Sequence, residues 1–406
     1  MARVARVSLL LGLAISMTVD CYAALRARRA SSVASALDLP LHSPTAPPLP
    51  PDPRRMMASA FSSPAIARGL PPASRPPPRR RLARKTARAL PPPAATSLEG
   101  IPPPPTFPNP LGVHALVWTG GWSEPECRAA CAGTAKTGYD LVEIPLLDPS
   151  SVDPAMTRRV LAEHNLRATT SLGLSFDADV SSPDDAIAKR GEALLDAALD
   201  VTAGMGASHM CGILYSALGK YDAPLDPRGY DNAVRALRRV ARRAADANVI
   251  LGLEVVNRYE TNVLNTAAQA SAFVDEIGEP NVKVHLDSYH MNIEEESLRR
   301  AVLTCGDRLG YVHVGESHRG ALGTGTVDFV QLFWGLAEIG YEGPITFESF
   351  SSRVVSPDLS NTLCVWRDLW EDSEALARDA RAYVLERLES AAVVNHPSTP
   401  KVGDWY

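Results

Sequence analysis

The sequence has little of what marks several large classes of protein. Its six cysteines are widely scattered, so no disulfide framework or zinc ribbon can be read from them, and we expect small buried or half-buried thiols. They are Cys21, Cys127, Cys131, Cys211, Cys305 and Cys364. The net charge of -5 lacks the basic excess of proteins that neutralise phosphates, which argues against nucleic acid as a partner. No Gly-x-Gly-x-x-Gly motif follows an early strand, so dinucleotide binding has no support.

The N-terminal apolar run is too short to span a bilayer. It extends from Val7 to Val19, is flanked by arginine, and precedes Cys21-Tyr22-Ala23, a small-residue cleavage pattern of secretory type. The stretch from Ala24 to about Leu90 is rich in Arg, Ser, Ala and Pro and poor in acid, as in an organellar transit peptide. Together these features predict targeting to a plastid through the secretory route, with no membrane contact in the mature form.

Two other interpretations of this region remain open. If the start codon is misassigned and Met56 or Met57 is the true start, the protein would be cytoplasmic. The other interpretation is a basic arm that binds nucleic acid, although the basic run Arg79–Lys85 lacks interleaved aromatic residues. Composition changes near residue 110, since 22 of the 34 prolines lie at or before Pro110. We therefore predict that residues 1–110 are a targeting presequence and Pro-rich linker, largely disordered and outside the fold.

After Leu111, short apolar runs alternate with longer segments of helical periodicity. Eight strand–helix units favour an α/β fold, a (β/α)₈ TIM barrel over residues 111–390 with a tail over 391–406. The predicted strands are Gly112–Trp118, Leu141–Pro145, Arg167–Leu174, Ser208–Leu214, Ile250–Val256, Val282–Asp287, Leu309–Gly315 and Pro344–Phe350. The clearest predicted helices are Tyr230–Asn248, Thr266–Ile277 and Asp328–Ile339, with Asp328 as an N-cap.

Polar side chains end four successive predicted strands. They form what we call the four-residue cluster: Glu254, Asp287, His313 and Glu348. The carboxyl ends of the strands form the active site of such a barrel, so these side chains should converge. Three carboxylates packed together would repel one another unless a cation held them. Oxygen donors with one imidazole suit a single divalent ion, Mn²⁺ first, with Mg²⁺ or Co²⁺ as alternatives.

Three long stretches around these residues are distinctive. They read LEVVNRYE from Leu253, VHLDSYHMNIEE from Val284 and HVGESHR from His313, and the cluster residues are spaced by 33, 26 and 35 positions. From Leu111 to the last helix, the sequence resembles the ketose 3-epimerases, the D-tagatose and D-psicose (allulose) 3-epimerase family within the xylose isomerase-like barrels. The presequence lies outside the resemblance.

The resemblance implies roles for individual residues. It makes the whole four-residue cluster the metal ligands, with Glu254 and Glu348 also serving as the catalytic acid/base pair. It makes Glu260, His290 and Arg319 the groups that hold the O1 and O2 end of the sugar. A cationic arginine at the carbonyl side would add charge-assisted hydrogen bonds as negative charge develops there.

The chain departs from the family pattern around the pocket. His114 stands on the first strand where the family usually has an aromatic residue facing the sugar, and Leu218 stands where a tryptophan commonly covers the pocket. Ser171 and Gly212 supply small groups, while Phe350 remains as an apolar wall. His114, Gly212 and Phe350 are therefore further expected substrate-binding residues. The lost aromatic lid would shift preference among hexuloses or towards shorter ketoses, and leave the site wetter.

The activity implied by the resemblance is inversion of C3 in free ketoses of the D-tagatose, D-fructose and D-psicose type through a cis-enediolate. Inversion needs a proton removed from one face of the sugar and returned to the other, which two carboxylates on opposite sides can perform. The small-molecule ketose is the expected partner, and the resemblance suggests a homodimer or homotetramer.

Three alternatives compete with this interpretation. An aldose–ketose or hydroxypyruvate-type isomerase would share the metal site but move the proton between adjacent carbons. A DNA-repair nuclease of the same superfamily would need a multi-metal cluster with additional histidines, which the nine histidines do not supply at the other strand ends. A catalytically dead carbohydrate-binding barrel is disfavoured because Glu254 and Glu348 are both present.

Overall fold

Eight parallel strands close into a barrel in the computed structural model, which describes residues 107–395. The strands follow chain order, and Val113 of the first pairs with Val142 of the second and Phe347 of the eighth. They are β1 Leu111–His114, β2 Leu141–Pro145, β3 Arg167–Leu174, β4 His209–Ala217, β5 Ile250–Val255, β6 Val282–Asp287, β7 Leu309–Val314 and β8 Ile345–Phe347. The predicted (β/α)₈ barrel is confirmed.

Helices connect the strands. Within residues 107–395 they are α1 Glu124–Lys136, α2 Pro154–Glu163, α3 Asp185–Met205, α4 Pro227–Asp246, α5 Ala267–Ile277, α6 Ser288–Glu294, α7 Leu298–Cys305, α8 Phe329–Glu338, α9 Pro357–Thr362 and α10 Ser373–Asn395. Short 3₁₀ turns occupy Ala115–Val117, Pro149–Ser151 and Gly306–Arg308. The three predicted helices correspond to α4, α5 and α8.

Capping side chains set the helix starts. Asp328 accepts the backbone N–H of Gln331 at the start of α8, as predicted. Thr266 and Gln269 form a capping box at α5, so the helix proper begins one residue later than predicted. Helix α4 begins three residues before the predicted Tyr230, because Asp226 caps it and a proline occupies its first position.

Three strands end three or more residues away from their predicted ends. Strand β1 stops at His114, four residues early, because the chain turns into a 3₁₀ helix in which the Leu116 N–H donates to the His114 ring, at 3.2 Å. Strand β8 covers only three residues and stops before Glu348, which frees the chain to leave the sheet. Strand β4 continues to Ala217, three residues beyond its predicted end.

The core joins the strands to the inner faces of the helices in one large apolar cluster. A second, smaller cluster lies beside the carboxyl ends of β1 and β8. It contains Leu116, Phe350, Val355 and Val365, with Leu359 and Leu363 packed against it. This smaller cluster fixes α9 and its flanking loops next to the barrel mouth, where substrates bind in folds of this kind.

The barrel begins slightly earlier than predicted. Phe107 packs against the core, and the Asn109 amide donates to the carbonyl oxygens of Tyr341 and Gly343 at 2.8 and 3.1 Å. The last part of the predicted linker is therefore attached to the fold. At the other end, α10 extends to Asn395, past the predicted start of the tail. The targeting prediction falls on residues 1–106, which lie outside the described part of the chain, as do residues 396–406.

The thiol prediction is right for four of the five cysteines within residues 107–395. Cys127, Cys131, Cys211 and Cys305 are buried, whereas Cys364 is exposed in the loop after α9. Cys127 and Cys131 lie on α1, one turn apart. Among the described helices, none is long and apolar enough to cross a membrane.

Candidate active site

The four-residue cluster meets at the carboxyl ends of β5 to β8, as predicted. Glu254 and His313 are the next-to-last residues of β5 and β7, Asp287 ends β6, and Glu348 directly follows β8. One possible ligand atom from each lies within 4.8 Å of the others, and all four residues are buried. The side chains converge because they lie at the carboxyl ends of adjacent parallel strands, where Asp287 pairs directly with His313.

The His313 ring presents a free nitrogen to the three carboxylates. Its Nδ1 has no hydrogen-bond partner among residues 107–395 and lies 3.4 Å from Glu348 Oε1 and 3.6 Å from both Glu254 Oε1 and Asp287 Oδ2. A buried polar atom without a partner requires an explanation, and a metal ion is one. Three carboxylates with one imidazole are a donor set that Mn²⁺, Mg²⁺ or Co²⁺ accepts, so these residues fit such an ion.

Asp287 performs two structural tasks with its two oxygens. Its Oδ1 accepts the backbone N–H groups of Tyr289 and His290, at 2.6 and 3.4 Å, and so caps helix α6. Its Oδ2 faces the cluster and accepts a hydrogen bond from Arg319 Nη1 at 3.1 Å. The cap holds the carboxylate in one orientation, which leaves the second oxygen directed at the other cluster residues.

Arg319 is a half-buried cation beside the carboxylates. Its Nη1 donates to Glu348 Oε2 at 2.5 Å, and its guanidinium lies 3.8 Å from the centre of the Tyr289 ring and 5.0 Å from that of Phe350. The backbone of Arg319 has φ of +61°, an uncommon conformation for a residue with a side chain. The aromatic contacts and this turn direct the guanidinium towards the cluster.

His290 and Glu260 stand on one side of the cluster. The His290 Nδ1 faces the backbone N–H and the side-chain amide of Asn257, at 3.1 and 2.8 Å, and so acts as acceptor. The ring Nε2 then lies 3.9 Å from Glu254 Oε1 and 4.0 Å from Glu260 Oε2. The same Asn257 amide donates to Glu260 Oε1 at 2.8 Å, so one asparagine orients both predicted sugar-binding groups.

His114 lines the pocket at the end of β1. Its Nδ1 accepts the Leu116 N–H, so in the neutral ring the proton sits on Nε2, 3.3 Å from Ser171 Oγ and 3.6 Å from Glu143 Oε1. Burial lowers the pKa of His114 to about 4, which keeps the ring neutral near pH 7. His114 is therefore a neutral hydrogen-bond donor at the wall of the pocket.

The remaining pocket wall is largely apolar. Leu218, Phe350, Leu359 and Leu363 line it together with Gly212 and the predicted polar residues. Gly212 has φ of +106°, and a Cβ there would lie 2.2 Å from the carbonyl oxygen of Leu172. Only glycine fits this position, because the backbone of β3 approaches it so closely.

The two glutamates of the predicted acid/base pair have pKa shifts in opposite directions. Burial acts to raise both. For Glu254 the nearby rings of His285 and His313 outweigh burial, and its pKa is below the ordinary value. For Glu348 burial prevails, aided by the charges of Asp287 and Glu254, and its pKa is well above 4.5. The two carboxyl groups thus differ in their surroundings, although both belong to the same cluster.

Sequence reasoning missed several residues of this site. Glu143 is fully buried and lies 2.7 Å from His313, although it belongs to β2 on another side of the barrel. A signal was present, since it is the one acid within the apolar strand Leu141–Pro145. Asn257 was also missed, and it lies inside the distinctive stretch after Leu253. Leu359 and Leu363 carry no local sign of their place beside the pocket.

Comparison with known proteins places the chain in a family. The family model described as a xylose isomerase-like TIM barrel matches residues 131–386. An L-ribulose 3-epimerase from Methylomonas sp. (strain DH-1) is 55% identical over 283 residues, which cover 69% of this chain and 99% of that protein. The chain belongs to the ketose 3-epimerase family of xylose isomerase-like barrels. It is therefore an enzyme of the isomerase class.

Two further relatives of this epimerase family support the assignment. A ketose 3-epimerase from Arthrobacter globiformis is 50% identical over 284 residues, covering 70% of this chain and 98% of that protein. The crystal structure of a D-allulose 3-epimerase from Methylomonas sp. in complex with D-allulose has 54% identity and a TM-score of 0.68, covering 69% of this chain and 97% of that one. The resemblance inferred from the motifs is thus confirmed.

Proposed function

We propose that this epimerase inverts C3 of free five- and six-carbon ketoses, with Glu254 and Glu348 exchanging one proton each with the sugar. Relatives named for L-ribulose and D-psicose support the substrate class, as does the related structure that holds D-allulose. The family and the cluster geometry support a divalent metal, for which we propose Mn²⁺ first, then Mg²⁺ or Co²⁺.

The observation that carries the proposal is the placement of the two glutamates around the barrel mouth. Glu254 belongs to β5 and Glu348 follows β8, so two strands separate them, and both face His313 Nδ1. A sugar seated between them would meet one carboxyl on each face. That is the requirement for inversion, since a proton removed and returned on the same face restores the starting sugar.

The other residues would bind and orient the substrate. The Arg319 guanidinium and the His290 ring lie on the same side of the cluster, where they can donate to the sugar's O1 and O2 as negative charge develops there. Glu260 accepts from Asn257 with one oxygen and has its other oxygen directed at the pocket. His114 Nε2–H, beside Ser171, is a further donor for the sugar.

The cluster residues would hold the cation. When bound, a divalent ion acts as a Lewis acid that stabilises negative charge on the oxygens of the reacting carbons, an effect of several kcal/mol. It would also favour the charged form of all three carboxylates. Removal of the metal with a chelator should therefore abolish turnover, and added Mn²⁺ should restore it, which chromatographic separation of the two epimers would measure.

Turnover in D₂O tests the reaction type. The protein would be incubated with D-fructose, D-tagatose, D-allulose and L-ribulose, and the products analysed by NMR. We expect the C3 epimer with deuterium at C3, because the carboxylic acid that returns the proton exchanges with solvent. An aldose product with deuterium at C2, and recovered ketose with label only at C1, would instead show an aldose–ketose isomerase and overturn the role given to the glutamate pair.

A further inference from the structure

The carboxylate of Glu143 lies inside the barrel, directly behind the four-residue cluster. Its residue exposure is zero, and it is contributed by β2, whereas His313 is on β7. Its Oε2 lies 2.7 Å from His313 Nε2 and 2.8 Å from the Tyr311 hydroxyl, and its Oε1 lies 3.6 Å from His114 Nε2. Glu143 is therefore placed between a pocket histidine and a cluster histidine without being one of the four cluster residues.

The hydrogen-bond partners define which His313 nitrogen carries a proton. A carboxylate oxygen only accepts, so the short contact requires Nε2–H on the ring whatever the charge of the ring. Nδ1 is then the nitrogen with a lone pair for a metal, and it is the one that faces Glu254, Asp287 and Glu348. With the tautomer reversed, an N–H would be directed at the cation.

Tyr311 is a second hydrogen-bond partner of Glu143. Its hydroxyl has a single proton and contacts three oxygens: Glu143 Oε2 at 2.8 Å, and the hydroxyls of Thr169 and Thr346, both at 2.7 Å. Since the carboxylate cannot donate, Tyr311 donates to Glu143 and accepts from the two threonines. Both hydrogen bonds of Glu143 thus fall on Oε2, which restricts the orientation of the carboxylate.

We propose that Glu143 is a positioning residue that fixes the ring orientation and tautomer of His313, so that Nδ1 is always presented to the metal. The inference rests on the metal site proposed above. Carboxylates that hold the far nitrogen of a metal-bound histidine typically contribute 10- to 100-fold to metal affinity. Glu143 would act through His313 and would not touch the reacting atoms of the sugar.

The substitution Glu143→Gln tests this. The amide keeps the shape, but either orientation brings an N–H group against another N–H, on His313 or on His114. We expect the Kd for Mn²⁺ of the full-length protein, measured by calorimetry, to rise about 10- to 100-fold. The matched control is Tyr311→Phe, which removes the other hydrogen bond to the same oxygen but leaves the His313 contact. It should lower thermal stability yet change the Kd by less than about threefold, a smaller effect than loss of the direct partner.

A second measurement covers the case in which Glu143→Gln fails to fold. Wild-type protein with ¹⁵N-labelled histidine and saturating Mg²⁺ should show His313 as a neutral ring with its proton on Nε2. A proton on Nδ1 would overturn the proposal, and so would a folded Glu143→Gln variant with unchanged Mn²⁺ affinity. If wild-type protein bound no divalent ion, the metal site itself would be wrong, which separates the failure of the proposed function from the failure of this inference alone.

Discussion

At the scale of single residues, Glu254 and Glu348 are the two residues proposed as acid and base, and the groups that surround them shift their pKa values in opposite directions. Histidine rings lower the pKa of Glu254, and burial raises that of Glu348. Replacing either by Gln keeps an oxygen donor but removes the proton-transferring group, and should lower kcat about 10²-fold or more. Steady-state kinetics on ketose would measure this, with the exposed surface residue Glu338→Gln as control. Retained kcat in either cluster variant would exclude that residue as acid or base.

Gly212 gives a second prediction at this scale. Its φ of +106° and the 2.2 Å approach of the Leu172 carbonyl both oppose a side chain. Gly340 also has positive φ, +64°, but a Cβ there meets nothing within 4 Å. We expect Gly340→Ala to cost about 1–2 kcal/mol, from backbone strain alone, and Gly212→Ala to cost more. Urea denaturation of both variants would show the difference, and equal losses would mean that β3 and β4 can separate without cost.

At the scale of elements, the N-terminal end of β4 contains a histidine that should make stability depend on pH. His209 is buried, and desolvation lowers its pKa from 6.5 to about 4. His209 therefore binds a proton near pH 6.5 in the unfolded chain, but only near pH 4 in the folded chain. The contribution of His209 is fully present above pH 6.5 and is lost as pH falls through this range.

The substitution His209→Gln isolates that contribution. Between pH 7 and pH 5, the free energy of unfolding of the wild type should fall by about 2 kcal/mol more than that of the variant, from the size of the pKa shift. Urea denaturation at the two pH values measures the difference. The same slope in both proteins would show that His209 binds its proton equally well in the folded state.

At the scale of the whole molecule, the contacts of residues 107–110 revise where the chain can be cut. Removing residues 1–106 should leave folding and turnover intact, because the sequence of that segment has too little patterned apolar surface to join the core. Removing 1–110 also deletes the Asn109 hydrogen bonds and the Pro110 carbonyl that accepts the Ile345 N–H at 2.9 Å. This longer deletion should lower the free energy of unfolding by about 1–3 kcal/mol. Thermal denaturation would compare the stability of the two deletion proteins, and an assay of ketose epimerisation would compare their turnover. An inactive 1–106 deletion would contradict the predicted role of this segment as a targeting presequence.

Sequence alone was sufficient for the fold and for the four-residue cluster. Alternating strand and helix patterns specify a barrel, and in any such barrel the carboxyl ends of adjacent strands meet at one mouth. Glu254, Asp287 and His313 could therefore be assigned to one site from their positions at strand ends, and Glu348 from its position just after one. The strands β2, β3 and β6 were also bounded correctly, because turn residues flank their apolar runs.

Only the tertiary structure decided which residues from distant strands touch. Glu143 on β2 contacts His313 on β7 because both point into the barrel interior, where side chains from non-adjacent strands share layers. Likewise, Leu359 and Leu363 reach the pocket because α9 packs on Leu116 and Phe350 after the chain has left β8. Periodicity shows that a residue is inside, but the register and stagger of all eight strands determine what it meets there.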